Sequence, residues 1–258
     1  MIDTLQYIHL CSFLGFFILF WIIEYIFPLR KKIWSTKNRW IHNITLSTIN
    51  TIFVRVWLYI TPVSFAIYLE NIGFWFFNVF SIYVYLEFII SIVLLDLFIY
   101  IQHVYAHKWK WFWKLHSIHH SDITLDVSTA IRFHIWEIVL SIFFKMLLIV
   151  IFWFSAITIV IFETILVTSA MFNHANIKLP VKLDRYLNYV FVTPEFHQVH
   201  HSIKHKETDS NYWFFLSIWD RFFKTYTFHK FRVKKIGLSE NKPHLSLREL
   251  LLLDINKK

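Results

Sequence analysis

Cysteine is almost missing from this sequence. The single Cys11 lies in an apolar segment, so no disulfide framework exists and nothing indicates an oxidising compartment. Glycine is nearly as scarce, with three residues in 258, and a positive mean hydropathy sets the chain far from the average soluble domain. No HExxH motif occurs, which argues against a zincin protease. The first apolar stretch, Leu5 to Phe27, lacks a basic leading region and a small-residue cleavage site. It is also too long for a signal-peptide core, so it reads as a transmembrane helix.

What the sequence has in abundance is apolar surface: 57% of residues are hydrophobic and 21% aromatic, the composition of a membrane protein. Five stretches are candidates to cross a bilayer, given that a helix needs roughly 20 residues for the ~30 Å core. They are Leu5 to Phe27, Ile41 to Leu69, Ser81 to Gln102, Ile135 to Phe152 and Ser155 to Phe172, the last two short enough to form a shallow hairpin. The loop with Arg30, Lys31, Lys32, Lys37 and Arg39 and the loop with Lys108, Lys110 and Lys114 fall on one face if the spans alternate; the other face carries Asp3 and Glu70. This bias places the N-terminus outside and the histidine-rich segments on the cytosolic side of a bacterial inner membrane or endoplasmic reticulum. The net charge of +9 is concentrated in loops flanking apolar spans, so anionic lipid headgroups, not nucleic acid, are the expected partner. The aromatic runs GFWFFNVF (73–80) and KWKWFWK (108–114) sit at span ends, as an interfacial belt would.

Fifteen histidines interrupt this background, most of them in tight groups: HVYAH (103–107), HSIHH (116–120), RFH (132–134), NHAN (173–176) and HQVHH (197–201). On a helix, residues at i, i+3 and i+4 share a face with Cβ atoms roughly 5–6 Å apart, so His103 and His107 can grip one ion together. In each HxxHH box the first and last rings point the same way while the middle one stands about 100° from its neighbour, so a box can serve two ions. TPEF (193–196) predicts a helix start with Thr193 as N-cap and Pro194 at the first position, which fixes the register of HQVHH. Burying many imidazoles unpaired is costly, and metal ligation relieves that cost by using the neutral ring. The second ring nitrogen then needs an acceptor, for which Asp96, Asp122, Asp126, Glu137, Glu195 and Asp209 are candidates. His9, His42, His205, His229 and His244 stand alone and read as ordinary core or surface residues. One structural zinc needs four ligands and this constellation offers eight to ten, enough for two ions with positions open. Bis-histidine haem would want ligands on facing helices inside the membrane, whereas these lie at span ends and beyond.

Taken in order, DLFIYIQHVYAH, WKLHSIHHSD, RFHIWE, NHANIKLP, VTPEFHQVHHS and TDSNYWFFLSIWDRFFKTY resemble the integral-membrane fatty acid hydroxylase and sterol desaturase superfamily over Asp96 to Tyr226. The resemblance implies a non-haem di-iron centre that uses dioxygen and two electrons to hydroxylate or desaturate a lipid C–H bond in a sterol, fatty acyl chain or related lipid. Carried over position by position, it implies His103, His107, His116, His119, His120, His197, His200 and His201 as ligands of two iron ions. His174 resembles an additional ligand, His134 matches an RxHPxE element as a ligand or supporting group, and Asp209 and Asn211 match a supporting TDxNYG element. The chain departs from the pattern at Val104, Ile135, Trp213 and Lys224, the last two standing where relatives have glycine, which puts the loop geometry in question.

The resulting expectation is an all-α, multi-span membrane bundle with a cytosolic helical cap carrying a histidine-rich dimetal site. Residues 1–80 would be N-terminal membrane helices and 81–232 the catalytic domain; 233–258 would form a tail with a short docking helix. The substrate pocket is expected between the span tops and the cap, walled by aromatics of 109–113 and 212–223, with a lipid entering sideways. Electrons would come from a separate cytochrome, ferredoxin or reductase. Arg55, Glu87, Lys145 and Glu163 lie in apolar stretches and receive no role. Two rival functions make different predictions. A non-catalytic metal-binding membrane protein would string its ligands along a transmembrane path, and a di-zinc lipid hydrolase would hold zinc and cleave esters.

Overall fold

The computed structural model describes residues 2–31, 36–73, 84–227, 233, 235–238 and 245–253. All regular structure among these is helical, apart from three isolated bridges. The long helices are α1 (Ile2–Ile26), α2 (Thr36–Phe53), α4 (Val84–Lys108), α6 (Ile135–Phe152) and α7 (Ala156–His174), with α3 (Pro62–Asn71) continuing beyond α2. Five stretches are long and apolar enough to cross a membrane: Tyr7–Ile26, Lys37–Asn71, Tyr85–Lys108, Ile135–Phe152 and Ala156–His174. Their outward faces carry large apolar side chains such as Ile18, Leu19, Ile89 and Leu147, all more than 40% exposed, as lipid-facing surfaces do. The chain is a membrane protein. At 1.5 Å per residue, α6 and α7 are about 27 and 28 Å long, close to the ~30 Å hydrocarbon thickness.

The second span differs from the single helix expected over Ile41 to Leu69. Helix α2 passes into a π-helical turn at Val54–Leu58, Tyr59 takes a left-handed conformation (φ 52°), and α3 starts afresh with Thr61 as a capping box and Pro62 at its first position. An i→i+5 turn followed by a left-handed residue cannot carry the α-helical ladder onward.

Five helix ends meet at one end of the bundle. Glu24, near the end of α1, accepts from the backbone N–H groups of Val127 and Asn176 (3.0 and 3.1 Å). The start of α2 binds the 122–132 segment, α6 begins there, and α4 and α7 finish there with His107 and His174. At the opposite end Glu70 of α3 accepts from the Ala156 N–H that opens α7 (2.7 Å). Short helices cover the histidine end: α5 (Lys110–His120), a 3₁₀ turn (Val127–Ile131), α8 (Val181–Leu187), α9 (Pro194–His200), α10 (His205–Thr208) and α11 (Ile218–Phe222). The largest core cluster runs from α3, α4, α6 and α7 into Tyr212, Trp213 and Phe214 of this cap, so bundle and cap share one interior.

The tail helix α12 (Leu247–Leu251) opens on a Ser246 and Glu249 capping box and buries Leu250 against Leu46 and Ile118. This is the docking role its sequence suggests, although residues 254–258 lie outside the described residues, as do Phe74 to Phe80 of the first aromatic run, His229 and His244.

Candidate metal centre

Box by box, local structure follows the sequence. His103 and His107 occupy the last two turns of α4; Trp109 then takes an extended conformation, which ends α4 and lets α5 begin at Lys110. His116 precedes the last turn of α5, and His119 and His120 end it. Thr193 caps α9 by accepting from the Phe196 N–H, Pro194 holds its first position, and His197, His200 and the C-cap His201 follow. His174 is the final residue of α7.

These rings converge into two groups in which the coordinating atoms lie within 4.8 Å of one another: His103, His107, His116, His120 and His200, and next to it His119, His174, His197 and His201. The boxes split as their helical angles require. The first and last rings of HSIHH join one group and His119 the other, while His197 and His201 join one group and His200 the other. Nine of the ten expected ligands are thus brought together. His134 is not among them: it caps α6, its Nδ1 accepting from the Trp136 N–H (3.3 Å) while its Nε2 faces the Leu251 carbonyl (3.2 Å).

The donor set fits metal ions. In the second group His174 Nδ1 donates to the Ala170 carbonyl (2.6 Å), which leaves its Nε2 bare in the neutral ring. That nitrogen stands 2.9, 3.1 and 3.2 Å from Nε2 of His119, His197 and His201. One ring proton can satisfy only one such contact, whereas imidazole nitrogens bound to a shared ion at about 2.0–2.1 Å sit about 3 Å apart. In the first group His103 and His116 face each other through Nε2 atoms at 2.9 Å, and the His116 Nδ1–H donates to Glu137 (2.6 Å). His200 donates from Nδ1 to the Ser210 carbonyl (2.9 Å), which frees its Nε2, and no ring nitrogen of His107 or His120 has a protein hydrogen-bond partner among the described residues. Burial, and after it neighbouring imidazoles, holds His119, His120, His197 and His201 well below the usual histidine range. Burial also comes first for His200, followed by His116. These rings stay neutral, which is the ligating form.

Of the proposed acceptors, Glu137 serves His116, and Asp209 approaches His107 Nδ1 at 3.5 Å while holding His205 Nδ1 at 3.0 Å. Asp122, Asp126 and Asp96 brace the scaffold instead. Asp122 accepts from Arg39 (2.6 Å) and Thr129 (2.8 Å), and Asp126 binds Arg39 and Trp40. Asp96 accepts from the indoles of Trp213 and Trp219, both at 2.8 Å. Arg39, which the sequence presents as a loop charge, is in fact 4% exposed. Arg132 ties the end of HSIHH to α2 through the Ile118 carbonyl (2.9 Å), Ser121 (2.8 Å) and Asn43 (2.7 Å).

The glycine departures resolve individually. Trp213 is fully buried without a left-handed backbone; between residues 209 and 226 the left-handed positions are Asn211 (φ 51°) and Lys224 (φ 59°). Asn211 secures its turn through the carbonyls of Phe196 and Thr227 and the Thr227 N–H. Lys224 therefore holds a conformation that glycine adopts more cheaply.

Two spaces reach the first histidine group. A cavity of about 750 Å³ runs among the membrane helices and touches His103 and His116. A cleft of about 250 Å³ reaches His107 and His120 from the cap, beside Lys108 and Lys110. The larger space differs from the expected pocket under the cap: of the two aromatic segments proposed as its walls, only Phe112 and Phe214 line it. The Lys145–Glu163 ion pair (2.5 Å) and Arg55 lie on its walls instead.

Residues 88–225, just over half of the chain, match the fatty acid hydroxylase family. Among curated proteins the chain is 27% identical over 146 residues to the ornithine lipid hydroxylase OlsE of Rhizobium tropici, covering 54% of this chain and 41% of that protein. It is 30% identical over 140 residues to the alkylglycerol monooxygenase of Caenorhabditis elegans, covering 51% of this chain and 25% of that protein. The chain thus spans less than half the length of either relative. No solved structure matches it.

Proposed function

Because the chain belongs to the fatty acid hydroxylase family, we propose that it is a membrane-bound non-haem di-iron oxygenase acting on a lipid C–H bond, with its catalytic domain over residues 81–232. One observation carries this reading. Nine buried histidines from four helices form two adjacent ligand groups, and the first of these opens onto a large, mostly apolar cavity among the spans. His103, His107, His116, His120 and His200 would hold one iron, and His119, His174, His197 and His201 the other. Iron held there supplies dioxygen binding and redox equivalents, which zinc lacks.

For hydroxylation the balance is RH + O₂ + 2e⁻ + 2H⁺ → ROH + H₂O, and desaturation uses the same oxidant and electrons to form an alkene and two waters. The protein's own part is positioning and exclusion of water. The 122–132 network fixes α5, the Thr193 cap fixes α9, and Glu137 orients His116. Ile99, Ile138, Ile142 and Val160 line the cavity with apolar surface. The relatives' names, a lipid hydroxylase and an alkylglycerol monooxygenase, support hydroxylation of a polar lipid. The histidine end is assigned to the cytosol by the Lys and Arg bias, so that a separate electron donor meets the cap. Metal analysis of the purified full chain should give two irons per chain, with oxygen-dependent mass gain on a lipid substrate. Stoichiometric zinc with ester cleavage would overturn the assignment in favour of a hydrolase.

A further inference from the structure

Arg55 lies in the π-helical turn that breaks the second span, and it lines the large cavity. Its guanidinium is always charged, its side chain is exposed, and no anion pairs with it among the described residues. An unpaired arginine within an apolar span is costly unless it reaches headgroups or meets a specific anion. Its depth follows from two independent observations. Asn50, about a turn and a half earlier, donates to the Phe133 carbonyl at the histidine end of α6 (2.9 Å). Around Arg55 stands a girdle of exposed aromatics, Trp57 at 73%, Tyr59 at 82% and Trp136 at 53%, with Phe53 stacked on Trp57 and meeting Trp136 edge to face. Trp and Tyr rings exposed on a span settle at headgroup level.

The cavity therefore joins an exposed, headgroup-level cation to two buried rings of the first histidine group. The remaining charges on its walls are already engaged, since Lys145 pairs with Glu163 and Glu137 accepts from His116. We infer that Arg55 marks a lateral mouth and binds the anionic head, phosphate or carboxylate, of the lipid whose chain occupies the cavity. This inference rests on the reading of the cavity as the lipid site, and it favours an anionic polar lipid over an uncharged sterol. A planar guanidinium suits such oxygens through paired hydrogen bonds. The break in the helix gives this mouth its shape: Tyr59, left-handed, and Thr61, extended, turn the chain aside between α2 and α3, and both line the cavity.

The test is lipid binding, which needs neither metal, oxygen nor electron donor and so stands or falls apart from the oxygenase reading. Dioleoyl phosphatidylglycerol and dioleoylglycerol, which share their acyl chains, are titrated onto the purified full chain in neutral detergent and counted by native mass spectrometry. The wild type should prefer the anionic lipid by roughly tenfold, Arg55→Gln should reduce that preference to about twofold or less, and Arg55→Lys should retain part of it. Lys108→Gln, at the other opening, should change nothing. Ser141→Phe, which fills the cavity from α6, should weaken both lipids. Equal binding of the two lipids by the wild type, full preference in Arg55→Gln, or anionic binding indifferent to Ser141→Phe would each overturn the inference, the last by showing surface adsorption only.

Discussion

His116 donates from Nδ1 to Glu137 at 2.6 Å while its Nε2 faces that of His103 at 2.9 Å. The carboxylate thus fixes which nitrogen of the ring is bare, and aims it into the first histidine group. Partners of this kind on metal-ligating histidines typically contribute 10- to 100-fold in affinity or activity.

Glu137→Gln keeps the shape of the side chain but weakens the acceptor. Iron retention against a graded chelator should fall by roughly 10- to 100-fold at the first group. His174 and its neighbours, with no contact to Glu137, should keep their ion. A variant with wild-type retention at both positions would remove Glu137 from the ligand-orienting role.

His174 and His134 separate a converging ring from a capping one. His174→Ala deletes the nitrogen that faces three others, so elemental analysis should find about one iron per chain instead of two. His134→Ala should keep both irons and lose about 1 kcal/mol of stability with its cap. Loss of iron in the His134 variant would return that residue to the ligand set.

The histidine boxes were legible because ligation imposes a helical spacing that lipid-facing sequence has no reason to produce. Even the split of each HxxHH box between the two histidine groups follows from the 3.6-residue period. The break in the second span was only half legible. Thr61 and Pro62 are a helix-start signal, but Val54 to Leu58 is apolar apart from Arg55, and a single charge in a span is no mark of a π turn. Arg39 could not be placed from sequence, because its partners Asp122 and Asp126 lie more than 80 residues away and a loop arginine beside a span reads as a topology signal. The position of the cavity depends on how α1, α2, α3, α6 and α7 lean on one another, which hydropathy does not encode.

Arg39 is a sharp point of failure for the scaffold. It is buried against two carboxylates that hold the segment following HSIHH. Its removal leaves Asp122 and Asp126 without their shared cation, a loss of about 3–5 kcal/mol for a buried pair. Arg39→Met should therefore lower the thermal midpoint in detergent sharply and loosen both ions, whereas Lys110→Met, at an exposed charge, should not. An Arg39→Met protein as stable as wild type would mean that the network is dispensable.

Acid should unfold the chelator-treated protein in a pH window set by the cap histidines. Burial holds His119, His120, His197, His200 and His201 well below the ordinary histidine range, so the folded chain keeps them neutral while the unfolded chain binds protons as pH falls through about 6.5. The unfolded state then carries more protons, and stability drops with falling pH by up to about 1.4 kcal/mol per pH unit for each ring. Near pH 8 these groups contribute little slope, because both states are then almost wholly neutral. Iron should shift the acid transition downward, since each bound ring must lose its ion before it takes a proton. Thermal midpoints measured from pH 8 to 5, with and without iron, should show a plateau, then a fall that begins later in the loaded protein. Metal-free protein that gained stability on acidification would contradict the neutral, buried state of these rings and the ligand role built on it.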